Sequence, residues 1–120
     1  MITTVDEETI ILQAFTRRML HELGFGSHRL GYKQLLILIT RYALDSGQSL
    51  TKELYPAAAK HFGYRSWKPV EHAVRGAILD AWERGDLTVW DTYFRGMGKP
   101  PTSLQFIATI AELVKNAPPG

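Results

Sequence analysis

Apolar residues recur at spacings of three and four positions along most of this chain, with polar residues between them. This is the period of an α-helix, because positions i, i+3, i+4 and i+7 share one helical face. No segment has the strict alternation that predicts a strand. We therefore predict an all-α fold of about six helices, over residues 6–23, 32–46, 56–62, 67–84 and 87–94 and from Thr102 onward.

Residues typical of helix ends separate these segments. Three glycines between residues 24 and 31 end the first helix. Pro56 suits the first turn of the short third helix, because a proline there loses no helical hydrogen bond. Thr102 and Gln105 have the spacing of a capping box at the start of the last helix. The pattern leaves open whether the turn at 51–55 joins the third helix or precedes it.

The helix at 67–84 has two unlike sides. Small apolar residues lie along one of them: Val70, Val74, Ala77 and Ala81. Polar residues lie on the other, all within the first two turns: Lys68, Glu71, His72 and Arg75. Major-groove recognition helices have this layout, since their N-terminal residues meet base edges while the remainder packs in a core. The alternative is an ordinary amphipathic helix with a solvated polar face.

The segment before this helix favours the first interpretation. Residues 56–62 form a short alanine-rich helix, in which we expect Ala58, Ala59 and Phe62 to face inward. The turn GYRSW at 63–67 then leads into the longer helix. A short helix, a glycine-containing turn and a longer helix with a basic leading end make a helix-turn-helix pattern. Within it, we expect Trp67 to pack at the helix entry rather than on a sugar-phosphate edge, and Trp82 to lie at the edge of the core.

Composition narrows the class of protein. A chain of 120 residues is one domain by the usual size range. It contains no cysteine, which excludes disulfides and thiolate chemistry and suits a reducing cytosol. Neither a signal peptide nor an apolar run long enough for a membrane span is present, so we expect a cytoplasmic protein without membrane contact. The formal net charge of +2 permits nucleic-acid binding without requiring it.

Candidate catalytic and metal-binding patterns are weak. The four histidines share no ligand spacing, and Phe25 stands where a zincin motif starting at His21 would need its second histidine. The glycine segments do not match a phosphate-binding loop, and the serines show no nucleophile elbow. Asp80 and Glu83 lie one turn apart but lack a partner group for catalysis. We expect no enzyme activity, no metal and no cofactor.

Four segments occur in the same order as their counterparts in one known family: GYKQL at 31–35, LTKELYPAAAKHF at 50–62, VEHAVRGAILDAWERGD at 70–86 and KPPTSLQFIA at 99–108. Over roughly residues 17–116, the chain resembles the C-terminal effector domain of stage-zero sporulation protein A, the sporulation response regulator of endospore-forming bacteria. The resemblance implies a six-helix, winged-helix-like DNA-binding domain without a clear wing. It also implies binding to A·T-rich promoter boxes as head-to-tail dimers. Residues 1–16 would then be an N-terminal helix extension of this single domain.

The resemblance implies roles for individual residues. Glu71 and Arg75 match family positions on the base-facing side of the recognition helix, where Arg75 can pair with guanine and Glu71 can accept from a cytosine amino group. His72 stands where the family usually has arginine, and Pro69 replaces another basic residue. Arg65 and Lys68 are candidates to take over its contact with phosphate. The predicted DNA-binding set is Arg65, Lys68, Glu71, His72 and Arg75.

Two further departures bear on mechanism. The family protein carries a phosphoacceptor receiver domain, and because only about 16 residues precede the resemblance, we expect this chain to lack one unless it is an excised fragment. The first helix either extends the core or replaces the receiver as a dimerisation element, and we expect a homodimer or a tandem dimer on DNA. The loop between Phe94 and Lys99 is shorter than in the family, near the segment associated there with the RNA polymerase sigma factor. Repression by occupancy, or modulation of the family's promoters, is therefore expected over activation through that contact.

The principal hypothesis is a stand-alone transcriptional regulator that binds double-stranded DNA in a sequence-specific manner. The rival is a protein-interaction module of the same fold, which modulates a full-length regulator by mixed dimerisation without reading DNA. Leu79, on the polar side of the recognition helix, is a candidate for such a protein contact.

Overall fold

The computed structural model describes residues 4–96 and 98–116, with side chains from residue 7 onward. Within these ranges the chain forms six α-helices and one π-helical turn, and no strand. The α-helices are α1 (Thr4–Glu22), α2 (Leu30–Leu44), α3 (Tyr55–His61), α4 (Lys68–Arg84), α5 (Leu87–Tyr93) and α6 (Ser103–Lys115). The predicted all-α fold is confirmed, and each helix boundary falls within two residues of its prediction, although residues 1–3 of the predicted N-terminal extension lie outside the described part.

The turn that the sequence left open is a π-helical turn, Leu50–Leu54, that runs directly into α3. Its start is capped from both directions. The Ser49 hydroxyl accepts the Lys52 N–H at 3.3 Å, and the Ser49 N–H donates to the Glu53 carboxylate at 3.1 Å. Backbone groups that would be unsatisfied at a helix start thus find partners, which allows so short an element to form.

Helix α2 lies at the centre of the fold and packs against α1, α4 and α6. Nine of its residues are buried. It approaches α4 closely at Gly31, where an added Cβ would lie 2.5 Å from the Ala73 carbonyl oxygen and 2.6 Å from the Ala77 Cβ. Only a residue without a side chain fits between the two helices here. Helix α4 is therefore fixed against α2 by backbone contact.

A second close approach joins the ends of α1 and α4. Gly24 has a φ of +100°, and a Cβ added there would lie 3.0 Å from the Gly85 Cα. Beside this crossing, the indole N–H of Trp90 donates to the Leu23 carbonyl at 3.0 Å. Trp82 packs edge-on against Trp90, with ring centroids 5.2 Å apart. Its predicted position at the edge of the core is confirmed.

The start of α6 has the predicted capping box. The Gln105 N–H donates to the Thr102 hydroxyl at 3.1 Å, and the Thr102 N–H donates to the Gln105 side-chain oxygen at 2.8 Å. The following residues bury an apolar face against α2: Phe106, Ile107, Ile110, Ala111 and Val114. The capping box thus fixes where the loop from α5 ends, next to the N-terminal half of α4.

The sequence predicts an apolar side of α1 made of Ile11, Leu12, Phe15, Met19 and Leu23. The structure departs from that pattern at Ile11. Leu12 and Leu23 are buried as expected and Leu20 is buried with them, but Ile11 is 54% exposed and its neighbour Ile10 is 64% exposed. Thr16 takes the buried position between Leu12 and Leu20, where its hydroxyl donates to the Leu12 carbonyl. In the part of the chain that the structure describes, no helix has the length and apolar character needed to cross a membrane.

Candidate nucleic-acid interface

The start of α4 is held by its own chain. The Ser66 hydroxyl accepts the N–H of Lys68, the first residue of the helix, at 3.1 Å. Trp67 stacks on Tyr55 of α3, with ring centroids 5.7 Å apart and planes 16° from parallel. This packing agrees with the predicted position of Trp67 at the helix entry. It fixes the angle between α3 and α4, the two helices of the predicted helix-turn-helix.

The buried side of α4 contains the predicted small residues, and Val70, Val74, Ala77 and Ala81 are all within the core. On the opposite side, Arg65, Lys68 and His72 are exposed, whereas Glu71 and Arg75 are half-buried. Spacings of three and four bring Lys68, Glu71, His72 and Arg75 onto one face over two turns. Arg65 belongs to the preceding turn. The predicted residues thus lie in the N-terminal half of α4 and in the turn before it, and none of them is fully buried.

Arg75 has a partner that the sequence did not indicate. Its Nη1 donates to the carbonyl oxygen of Pro101 at 2.7 Å, across 26 residues of sequence. A guanidinium carries five N–H donors, so this bond leaves others free. The contact ties the middle of α4 to the loop that precedes α6. It also restricts the directions in which Arg75 can reach outward.

An open groove of about 440 Å³ borders this end of α4. It lies between α4, the π-helical turn and the start of α6, and the lining includes Tyr55, Glu71, His72, Arg75 and Ser103. Burial raises the pKa of the Tyr55 phenol above its ordinary value, despite the opposing effect of Ser103. Tyr55 is therefore a neutral hydroxyl at physiological pH, and Glu71 and Arg75 provide the formal charges of the groove.

A second groove, of about 500 Å³, lies on the other side of α4 and was not predicted. His28 and Arg29, just before α2, line it together with His72. The close approach at Gly31 brings them there, because it joins the start of α2 to the exposed side of α4. The sequence analysis treated 24–31 only as a helix-ending segment. The signal it missed was the pair of basic residues His28 and Arg29, which ends two positions before Gly31.

Charge differs between the two ends of α4. The N-terminal end carries the exposed Arg65, Lys68 and His72, with His28 beside it. The other end carries acidic residues, namely Asp80, Glu83 and Asp86. Asp80 binds Arg84 at 2.7 Å and Arg29 at 3.3 Å, so that the cation of the last turn is neutralised locally. A polyanion would be attracted to the first end and repelled from the second.

Other chemistry has little support in the described residues. No group of three or more His, Asp or Glu side chains comes together there in an arrangement that could hold a metal ion. Among the described residues that line the first groove, Glu71 is the only acidic one, so they form no carboxylate pair for acid–base catalysis. The surface around the N-terminal end of α4 provides hydrogen-bond donors and positive charge.

The family described as sporulation initiation factor Spo0A C terminal matches residues 16–114 of the chain. The chain belongs to this family. The match covers most of the chain and includes all of α2 to α5, and it confirms the resemblance drawn from the sequence segments. Membership indicates a DNA-binding regulatory domain of sporulation, and this is not a known enzyme family. The first twelve residues of α1, 4–15, precede the matched segment.

Proposed function

We propose that the chain is a sequence-specific regulator that inserts the N-terminal half of α4 into the major groove of duplex DNA. The observation that carries this proposal is the joint arrangement of a firmly packed helix and an exposed cationic end. Gly31 holds α4 by backbone contact, while Lys68 and His72 stay exposed. A helix that is fixed in the protein but free at its leading end can place side chains at base edges in a defined register.

Different residues would make the two kinds of contact. Arg65 and Lys68, in the turn and at the helix start, suit phosphate oxygens on one side of the groove. Glu71 and Arg75 are the candidates for base edges, accepting from a cytosine amino group and donating to guanine respectively. Arg75 would keep its bond to the Pro101 carbonyl and present its remaining N–H groups. That bond would orient the guanidinium before DNA arrives and so reduce the entropy lost on binding.

Further phosphate contacts would come from the start of α2. His28 and Arg29 line the groove that His72 also borders, on the side of α4 away from Arg75. Arg29 already pairs with Asp80 at 3.3 Å, so its contribution to DNA binding would be reduced in part. His72 lies between both grooves, which suits a residue at the centre of the interface. By analogy with the family resemblance, we propose that two copies bind adjacent A·T-rich boxes head to tail.

Titration of labelled A·T-rich promoter duplex at several salt concentrations tests the proposal. Affinity should fall with a log–log slope of about −0.9 per neutralised phosphate. Lys68→Ala should weaken binding to all duplexes and reduce the magnitude of that slope by about 1. Lys115→Ala is the matched control, because Lys115 is an exposed lysine at the far end of α6. It should leave both quantities unchanged.

The Arg75→Ala variant distinguishes sequence-specific contacts with bases from non-specific electrostatic attraction to DNA. On the preferred site it should cost about 1–3 kcal/mol of binding free energy, and base preference at one position should relax. Equal binding of the parent and this variant to every duplex would remove Arg75 from base reading. A parent chain that binds no duplex even at low salt would reject the DNA-binding function itself.

A second candidate is an interaction module that does not read DNA and instead forms a mixed dimer with a full-length regulator. Two observations favour it: Arg75 is occupied in part by Pro101, and Leu79 is 37% exposed one turn further along the same face. In that case, the chain should change the sedimentation of a full-length regulator in the absence of DNA. Leu79→Ser should weaken that effect while Lys115→Ala should not.

A further inference from the structure

The outward face of α1 exposes apolar side chains to solvent. Ile10 is 64% exposed and Ile11 is 54% exposed, and Ala14 beside them is exposed as well. The opposite face of α1 already supplies the contacts to the core through Leu12, Thr16 and Leu20. Neighbouring apolar side chains left on a helix surface, with charged residues on either side, are typical of an interaction site. We call the surface formed by Glu7, Glu8, Ile10, Ile11, Ala14, Arg17 and Arg18 the α1 face.

Charges of opposite sign lie at the two ends of the α1 face. Glu7 and Glu8 lie at its start, and Arg17 and Arg18 lie at its end, and all four are exposed. Among the described residues, none of the four belongs to an ion pair. Spacings of four, three and four join Glu7, Ile11, Ala14 and Arg18 along one line of the helix. This line has an acid, two apolar residues and a base, in that order.

We propose that the α1 face pairs with the α1 face of a second copy of this chain, the two helices running antiparallel. Reversing one helix about the point between residues 12 and 13 sets Glu7 opposite Arg18 of the second copy. The same operation sets Ile11 opposite Ala14. A two-fold interface requires that one surface complement itself in this way. The line of residues on α1 meets that condition at each of its positions.

The charges of the α1 face favour an antiparallel second copy of this chain over a parallel copy or DNA. Parallel pairing would bring Glu7 next to Glu7 of the second copy, and these like charges would repel each other. DNA would meet two carboxylates at one end of the face. The first residues of the face, up to Ala14, precede the segment that the family match covers. The α1 face is thus a feature of this chain that goes beyond the proposed function and does not depend on DNA binding.

Sedimentation of the full chain without DNA tests the pairing through charge reversal. The parent should be a reversible dimer that weakens with salt. Glu7→Arg, or Arg18→Glu, should each weaken dimerisation about tenfold or more. Mixing these two variants should restore a dimer, because every facing pair is then opposite in sign. As the matched control, Glu83→Arg with Lys115→Glu reverses exposed charges outside α1 and should change nothing.

Single cysteines fix the direction of the helices, since the chain has none of its own. In the antiparallel pair, two copies of residue 11 lie about 4.5 Å apart along the axis, and two copies of residue 7 lie about 16 Å apart. A disulfide needs Cα atoms within about 7 Å. Ile11→Cys should therefore cross-link on oxidation, and Glu7→Cys should not. A parallel pair would cross-link both variants.

Several results would overturn the proposal. One is a parent chain that remains a monomer at the highest concentrations reached. Another is a dimer that the charge-reversal variants leave intact, which would assign dimerisation to another surface. Equal cross-linking of the Ile11→Cys and Glu7→Cys variants would exclude the antiparallel arrangement. Because no DNA is present, failure here leaves the DNA-binding function untouched, and failure of DNA binding leaves this pairing untouched.

Discussion

Helices α1 and α4 are both amphipathic, yet they expose surfaces of different kinds. Helix α4 buries small residues and leaves charge at its N-terminal end, where Lys68 and His72 project. Helix α1 buries leucines and leaves Ile10 and Ile11 on its outer side. The two helices also differ in the size of the residues that they bury. Small residues let α4 come into backbone contact with α2 at Gly31, whereas α1 contributes the larger side chains of Leu12 and Leu20 to the core.

The largest expected effect comes from filling the space at Gly31. Gly31→Val places a side chain where a Cβ alone would lie 2.5 Å from the Ala73 carbonyl. We expect the free energy of unfolding to fall by about 3 kcal/mol, because overpacking forces the backbones apart. Urea denaturation measures it. DNA binding at native conditions should fall as well, since α4 loses its position.

Gly76→Ala is the control for that variant. Gly76 lies on the exposed side of α4, and a Cβ added there meets nothing within 4 Å. Replacing a helical glycine with alanine should raise the free energy of unfolding by about 0.5–1 kcal/mol. Similar destabilisation by both variants would show that the α2–α4 contact has no special role.

Removing the indole at the entry of α4 should have an intermediate effect. Trp67→Ala loses the stacking on Tyr55 and part of the contact with the core. We expect a loss of about 2 kcal/mol in the free energy of unfolding, since aromatic pairs add to the contribution of buried area. Trp67→Phe should recover most of it. If Trp67→Ala is as stable as the parent but binds DNA less well, the indole contacts DNA rather than α3.

Removing the capping box at the start of α6 tests whether that cap holds the preceding loop in place beside α4. Thr102→Ala removes the hydroxyl that accepts the Gln105 N–H. Loss of such a cap costs about 1 kcal/mol of stability. Pro101 precedes it and holds Arg75, so we also expect weaker discrimination between DNA sequences. Thr102→Ser is the control that keeps the hydroxyl, and a stability equal to that of Thr102→Ala would contradict the role assigned to the cap.

The smallest effect is expected on the outer side of α1. Ile11→Gln should change the free energy of unfolding by no more than about 0.5 kcal/mol, because the side chain is mostly exposed. Denaturation at low protein concentration, where a dimer would be dissociated, measures this. Leu12→Ala, one residue along and buried, should cost about 2 kcal/mol or more. A large loss for Ile11→Gln would mean that the outer side of α1 is covered within the monomer.

Much of the fold followed from local patterns. The helices, the capping box of Thr102 and Gln105 and the position of Pro56 depend on hydrogen bonds and spacings within a few residues. Such features are contained in the sequence of each segment. The set of residues on the exposed side of α4 followed in the same way, because helical period decides which residues share a face. Whether they read DNA bases remains a prediction.

Only the tertiary structure decided which faces are covered and what lies beside them. It brought the Pro101 carbonyl to Arg75 across 26 residues, and His28 and Arg29 to the side of α4 next to His72. It also left Ile11 exposed on a helix where the apolar pattern had predicted burial. The physical reason is common to all three. Periodicity groups residues on a face, but packing between helices distant in sequence determines whether that face meets protein, solvent or a partner.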